Sequence, residues 1–87
     1  MIKGMSVHER RILKLIAEHN GQLGYEKIAK ILGIKTKWAK HYITKLFHKG
    51  FIKHHVVGYM IQGYALTPEG WRALHFITKG VINNGHD

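Results

Sequence analysis

The chain contains no cysteine among its 87 residues, which removes disulfides, thiolate nucleophiles and cysteine-held zinc from consideration. It has a single proline, Pro68, and no apolar run longer than a few residues, far short of the roughly 20 that cross a bilayer as a helix. Acidic residues are equally scarce. The five carboxylates, Glu9, Glu18, Glu26, Glu69 and Asp87, are scattered along the chain, so no carboxylate pair suggests general acid–base work. There is also no glycine-rich phosphate loop. These absences lead us to expect no enzyme, no cofactor and no metal. Residues 1–16 run from Met-Ile-Lys-Gly-Met straight into Glu9, Arg10 and Arg11, without the apolar stretch of a signal peptide. A cytoplasmic protein with no membrane partner is therefore the expectation.

What the chain does have is positive charge on an oily framework. The net charge is +9 and 45% of the residues are hydrophobic, enough apolar content for a packed core. The charge is concentrated. Between Glu26 and Lys53 stand Lys27, Lys30, Lys35, Lys37, Lys40, Lys45, Lys49 and Lys53 against Glu26 alone, whereas charges cancel over 54–87. A local basic field attracts a polyanion, nucleic acid first and an anionic membrane or acidic protein second.

The periodicities give one domain spanning 1–87, with a core at about 6–78 and a frayed tail at 83–87. Ser6 and Glu9 have the spacing of a capping box, and Ile12, Leu13, Ile16 and Ala17 give the helix that follows an apolar face, stopped at Asn20-Gly21. Leu23 is placed to anchor a brief edge strand. Ile28, Ala29, Ile31 and Leu32 mark a second helix that Gly33 ends. Over 36–49, Ala39, Ile43 and Leu46 fall on one line, flanked by Tyr42 and Phe47, while Lys37, Lys40, His41, Thr44, Lys45 and His48 fall opposite. Gly50 closes that helix. "FIKHHVV" reads as a strand, "GYMIQG" contains a turn and "YALT" returns as a second strand. Thr67 as N-cap, Pro68 and Glu69 then open a last helix at about 68–82, with Trp71, Leu74, Ile77 and Val81 on an apolar face widened by Ala73 and Phe76.

The expected fold is mainly α with a small β-hairpin (α+β), a winged helix-turn-helix in the order helix, short strand, helix, helix, strand, strand, helix. "IAKILGIKTKWAKHYITKLFHKGFI" resembles the helix-turn-helix core of bacterial and archaeal winged-helix regulators of the MarR and related groups. Ile28, Ala29, Leu32, Gly33, Ile34, Ala39, Ile43, Leu46, Gly50, Phe51 and Ile52 fill that pattern without a gap. "YALTPEGWRAL" is similar to the segment where Leu-Thr-x-x-Gly leaves the wing in the same proteins. The resemblance implies a recognition helix at 36–49 lying in the major groove of double-stranded DNA. Carried over by position, Thr36, Lys37, Lys40 and His41 face the groove, Thr44 and Lys45 lie nearer the backbone, and Lys53 and His54 at the wing base are candidate phosphate contacts. It further implies a transcription regulator, nucleoid-associated and homodimeric, with Trp71, Leu74, Ile77 and Val81 as the candidate dimer surface. No small-molecule effector is indicated.

Two features depart from the pattern. The recognition helix has no Arg, Asn or Gln, the side chains that pair with base edges in a bidentate way, so backbone affinity is expected to exceed sequence specificity. The wing tip, "VVGYMIQG", carries no charge, where wings of this kind often carry Arg or Lys. A protein-interaction winged helix with an acidic partner and a low-specificity nucleoid or RNA-binding protein therefore stand as alternatives. Trp38 and Tyr42 border the apolar stripe and read as core-edge residues, with base stacking as the sharper option. The eight histidines do not suggest a metal site. His41 and His48 lie about 10 Å apart by helical rise, and His54 and His55 alternate across a strand.

Overall fold

The computed structural model describes residues 5–19 and 21–85, with side chains as far as residue 77. Six elements follow one another: α1 (Val7–His19), α2 (Tyr25–Leu32), α3 (Thr36–His48), β1 (Ile52–Val57), β2 (Met60–Leu66) and α4 (Pro68–Gly85). α1 begins with the capping box read from the sequence. The Glu9 N–H donates to Ser6 Oγ and the Ser6 N–H to Glu9 Oε1, both at 3.2 Å.

The core is built where the apolar stripes converge. Ile12, Leu13 and Ile16 of α1, Ile28 of α2, and Ile43 and Leu46 of α3 are buried together, closed off by Ile52, Leu66 and Ala73. Each large aliphatic removed from water in this way contributes about 1.5–3 kcal/mol. Ile31, expected on the same face of α2, is instead 53% exposed. In an eight-residue helix the inward stripe is held by Ile28 and Ala29, and Ile31 lies past its edge.

α2 and α3 are joined by a three-residue turn. Gly33 sits in the left-handed region (φ 68, ψ 33), and the Ile34 N–H reaches back to the Ala29 carbonyl at 3.0 Å. A side chain in that conformation costs roughly 1–2 kcal/mol, which is why glycine stands there. α3 ends in the same manner. Gly50 has φ 76, and the Phe51 N–H bonds the Leu46 carbonyl at 3.1 Å.

The short strand expected around Leu23 does not form; among the described residues the sheet is the β1–β2 pair alone. Residues 21–24 begin with a turn at Gly21 (φ 91), too short a stretch to start a ladder. They lie against the hairpin through close backbone packing. A Cβ on Gly63 would sit 2.6 Å from the Leu23 carbonyl oxygen, and one on Gly21 would meet the His55 ring at 2.5 Å. The turn of the hairpin is also tighter than the sequence suggested. Val57 pairs with Met60 across Gly58 and Tyr59, and β2 starts at Met60 rather than Tyr64. Gln62 is the extra residue of a bulge, since His55 pairs with Gly63 but Val56 with Ile61. That insertion breaks the two-residue alternation and hides the first half of β2 from pattern reading.

The end of the wing is tied to its beginning. The Thr67 hydroxyl donates to the Gly50 carbonyl at 2.5 Å and accepts from the Gly70 N–H at 3.0 Å, while the Thr67 N–H donates to the Phe51 carbonyl at 3.0 Å. Gly70 passes so close to that carbonyl that an added Cβ would stand 1.9 Å from its oxygen. Gly70→Ala is therefore expected to destabilise the protein by about 1–3 kcal/mol, despite the ~1 kcal/mol by which alanine favours a helix interior. Thermal unfolding followed by circular dichroism checks this; an unchanged or higher midpoint would show that the Phe51 peptide yields freely.

α4 continues through residues 83–85, which the sequence placed in a frayed tail. Residues 86–87 of that tail, and the Val81 side chain, lie outside the described residues.

Candidate nucleic-acid interface

α3 buries Ala39, Ile43 and Leu46 and turns its basic side outward. Thr36, Lys37, Lys40, His41, Thr44, Lys45 and His48 are all exposed, so the helical wheel and the structure agree on this face. Lys35 is the N-cap, with no side-chain cap bond and no acid in the first turn. Cationic residues at a helix N-terminus are electrostatically unfavourable by a few tenths to about 1 kcal/mol, so the arrangement is a local cost that an incoming anion relieves.

Aromatic rings hold the lysine stems. The Lys40 ammonium lies 4.6 Å from the centre of the Tyr25 ring and the Lys37 ammonium 5.6 Å from that of Trp38. Each such contact contributes about 0.5–1 kcal/mol at an exposed site and keeps the cation close to its ring. The Thr44 hydroxyl donates back to the Lys40 carbonyl at 2.8 Å, which leaves its methyl group and an oxygen lone pair for outside contacts. Trp38 is 47% exposed, less covered than a core-edge residue, and is grouped with His41 and Tyr42 at centroid distances of 5.9 and 6.4 Å. With His8 and Ile34, Trp38 and Tyr42 border a cleft of about 220 Å³.

Two of the basic residues in the Glu26–Lys53 stretch and at the wing base have other duties. Lys49 turns inward and forms an ion pair with Glu9, whose side chain is buried. Burial acts to raise the Glu9 pKa, but the bonds from Lys49 and Ser6 outweigh it and leave the carboxyl below its usual range. His54 packs in a three-ring cluster with Phe47 of α3 and Tyr64 of β2, its centroid 4.8 and 5.5 Å from theirs. Lys53 is exposed on β1, and strand alternation puts it on the face opposite His54. Burial, with a smaller contribution from neighbouring Tyr25, pushes the Tyr64 hydroxyl above its usual pKa.

On the far side, the candidate dimer residues divide. Leu74 and Ile77 are half-buried against the chain's own core, whereas Trp71 is 51% exposed, and Phe76 is exposed as well. Among the described residues no group of His and carboxylates is arranged to hold a metal ion, and no helix is long and apolar enough to cross a membrane.

No protein-family model and no curated protein matches the sequence. Solved structures do. MepR, a transcription regulator of the Staphylococcus aureus multidrug efflux pump MepA, superposes with a TM-score of 0.85 at 18% identity, over 95% of this chain and 62% of its own. The transcriptional regulator SlyA gives 0.77 at 20% identity, over 95% and 59%. Streptococcus pneumoniae FabT, solved in complex with DNA, gives 0.78 at 15% identity, over 97% and 59%. The chain thus has the winged helix-turn-helix fold of these regulators and spans about six-tenths of the length of each.

Proposed function

We propose that the protein binds double-stranded DNA and regulates transcription, with α3 in the major groove. The observation that carries this reading is the exposed, acid-free face of α3, on which Lys37, Lys40 and Lys45 stand beside Thr36, His41 and Thr44. Lysine donates to phosphate or to guanine O6 and N7, and threonine offers a methyl to thymine. Lys35 and Lys53 reach flanking phosphates. His54, held by Phe47 and Tyr64, contributes to the interface mainly by supporting the wing. Occupancy of a promoter-proximal duplex then acts sterically on polymerase. Two chains bind one site as a homodimer joined through the Trp71 side of α4, together with Leu74, Ile77 and Val81, which sets two recognition helices on neighbouring turns of the groove. The DNA complexes of FabT and of a MepR variant bound to an oligodeoxyribonucleotide support the same use of this fold.

Fluorescence anisotropy with labelled duplexes across a salt series tests the reading. Each lysine on a phosphate adds about −0.9 to the slope of log affinity against log salt, so four or five such contacts from each of two chains give a slope of roughly −8. The stoichiometry should be two chains per duplex, and a slope near zero would remove phosphate contacts from the account. A second reading has its own support in the absence of Arg, Asn and Gln from residues 36–49, which favours a low-specificity nucleoid binder. Equal affinity for the protein's own upstream duplex and for a scrambled one would select it.

A further inference from the structure

The DNA reading leaves the tip of the wing without a task. Val56, Val57, Tyr59, Met60 and Ile61 are all at least half exposed, and Tyr59 is wholly so. No charged residue occurs between Lys53 and Glu69. A hairpin tip of this composition has nothing to offer a phosphate. An exposed apolar cluster on a small protein usually marks a contact.

The tip adjoins the lysine face. Tyr25, whose ring carries the Lys40 ammonium, lines one cleft of about 240 Å³ together with Ile61, His54 and Tyr64. A polyanion held by α3 therefore lies next to the wing. The spacing of charge along the hairpin narrows the choice of surface. Lys53 stands four residues before Val57, about 13 Å back from the tip at strand rise, and the minor groove is about 7.5 Å deep. The uncharged end can thus pass between the phosphates before the cation at its base reaches them. A tip designed for lipid would want its cations at headgroup depth, beside the apolar residues. The tip is also narrow. Val57 pairs directly with Met60, and the turn between them is Gly58 (φ 63) and Tyr59.

We propose that the wing tip is an apolar wedge for the minor groove, in which Tyr59, Met60 and Ile61 press on a base step and bend the duplex. This rests on the DNA-binding reading of α3. The groove is only about 6 Å wide, so two strands and their side chains enter by opening it, and an opened, partly unstacked step exposes the apolar base faces that such side chains can cover. Flexible TA and CA/TG steps yield most easily. The wing then selects sequence through deformability, a route that suits a recognition helix without bidentate side chains.

The test is resonance energy transfer between the ends of a 30-base-pair duplex, on the wild-type chain and on Tyr59→Ser/Met60→Gln/Ile61→Gln. These side chains are exposed, so the variant should keep its circular dichroism spectrum and melting point. We expect the wild type to shorten the end-to-end distance, and more so with a central TA step than an AA step. The variant should lose the bend and about tenfold in affinity, with an unchanged salt slope, because no phosphate contact is removed. Equal affinity and a straight duplex with both proteins would overturn the wedge while leaving the α3 reading intact. Failure of the wild type to bind any duplex at low salt would overturn both. Pelleting with phosphatidylglycerol vesicles that the variant abolishes would assign the tip to a membrane, and wing-dependent self-association would assign it to a second copy; either result overturns the proposal.

Discussion

Replacing Lys37, Lys40 and Lys45 by Glu should abolish duplex binding and leave the fold in place. The three side chains are exposed on the outer face of α3, and their reversal changes that face by six charges. If each lysine makes one charge-assisted phosphate or base contact, worth about 1.5 kcal/mol or more, loss of all three weakens binding at least ~1,000-fold before repulsion is added. The salt slope should fall by about 3 for each chain bound. Stability should barely move, because the local effects oppose one another. Glu at position 37, in the first turn of α3, favours the helix dipole, whereas Glu at 45, in the last turn, opposes it, each by about 0.3–1 kcal/mol. Lys40→Glu also gives up the contact with the Tyr25 ring. Anisotropy at low salt, with thermal unfolding as the control, separates the two effects. An affinity within threefold of wild type, in a protein that still melts normally, would end the case for α3 as the reading helix.

The framework of this site was legible because it obeys local rules. Ala39, Ile43 and Leu46 are buried and the lysines opposite them exposed, as a 3.6-residue period requires. Ser6 with Glu9, Gly33, Gly50 and Thr67 act at helix ends as their residue types suggest. What escaped depends on contacts between distant parts of the chain. Leu23 is buried as a strand residue would be, yet the segment is held by the proximity of Gly63 rather than by ladder bonds. The first half of β2 is disguised by the bulge at Gln62 and by an outward apolar tip, which violates the rule that exposed positions are polar. Trp71 shows the same difficulty in reverse. Its spacing with Leu74 and Ile77 predicts a shared face, but only the latter two reach the core. The motif Leu66-Thr67-x-x-Gly70 was recognisable as a pattern, whereas its reason, the contact of Gly70 with the Phe51 carbonyl, lies 19 residues away in the chain.

Glu9 is the largest omission of this kind, and its removal should have the largest effect on stability. In the sequence it is fully explained as a cap, and Lys49 as one more cation of a basic stretch. In the structure they form an ion pair 40 residues apart that fastens the start of α1 to the end of α3. Glu9→Ala removes the reciprocal cap, about 1 kcal/mol, takes from Lys49 its ion pair with Glu9 and leaves a gap at a buried position. Breaking a fully buried pair costs about 3–5 kcal/mol, but the Lys49 side chain is 27% exposed and can relax toward water. A total of roughly 2–4 kcal/mol follows, or a fall in melting temperature of about 10–25 °C for a domain of this size. Glu9→Gln keeps a capping side chain and should lose less. Replacing both Glu9 and Lys49 by Met should restore part of the loss, because an apolar pair fills the gap without the cost of burying charge. The acid limb of stability supplies an independent check. Because the folded-state pKa of Glu9 lies below the ordinary glutamate value of about 4.5, its contribution is fully present above that value and is lost as pH falls through the lower, folded one. The stability difference between wild type and Glu9→Gln should therefore shrink below about pH 4.5. A difference that stayed constant from pH 7 to pH 3 would show that the charge on Glu9 has no part in holding α3 against α1.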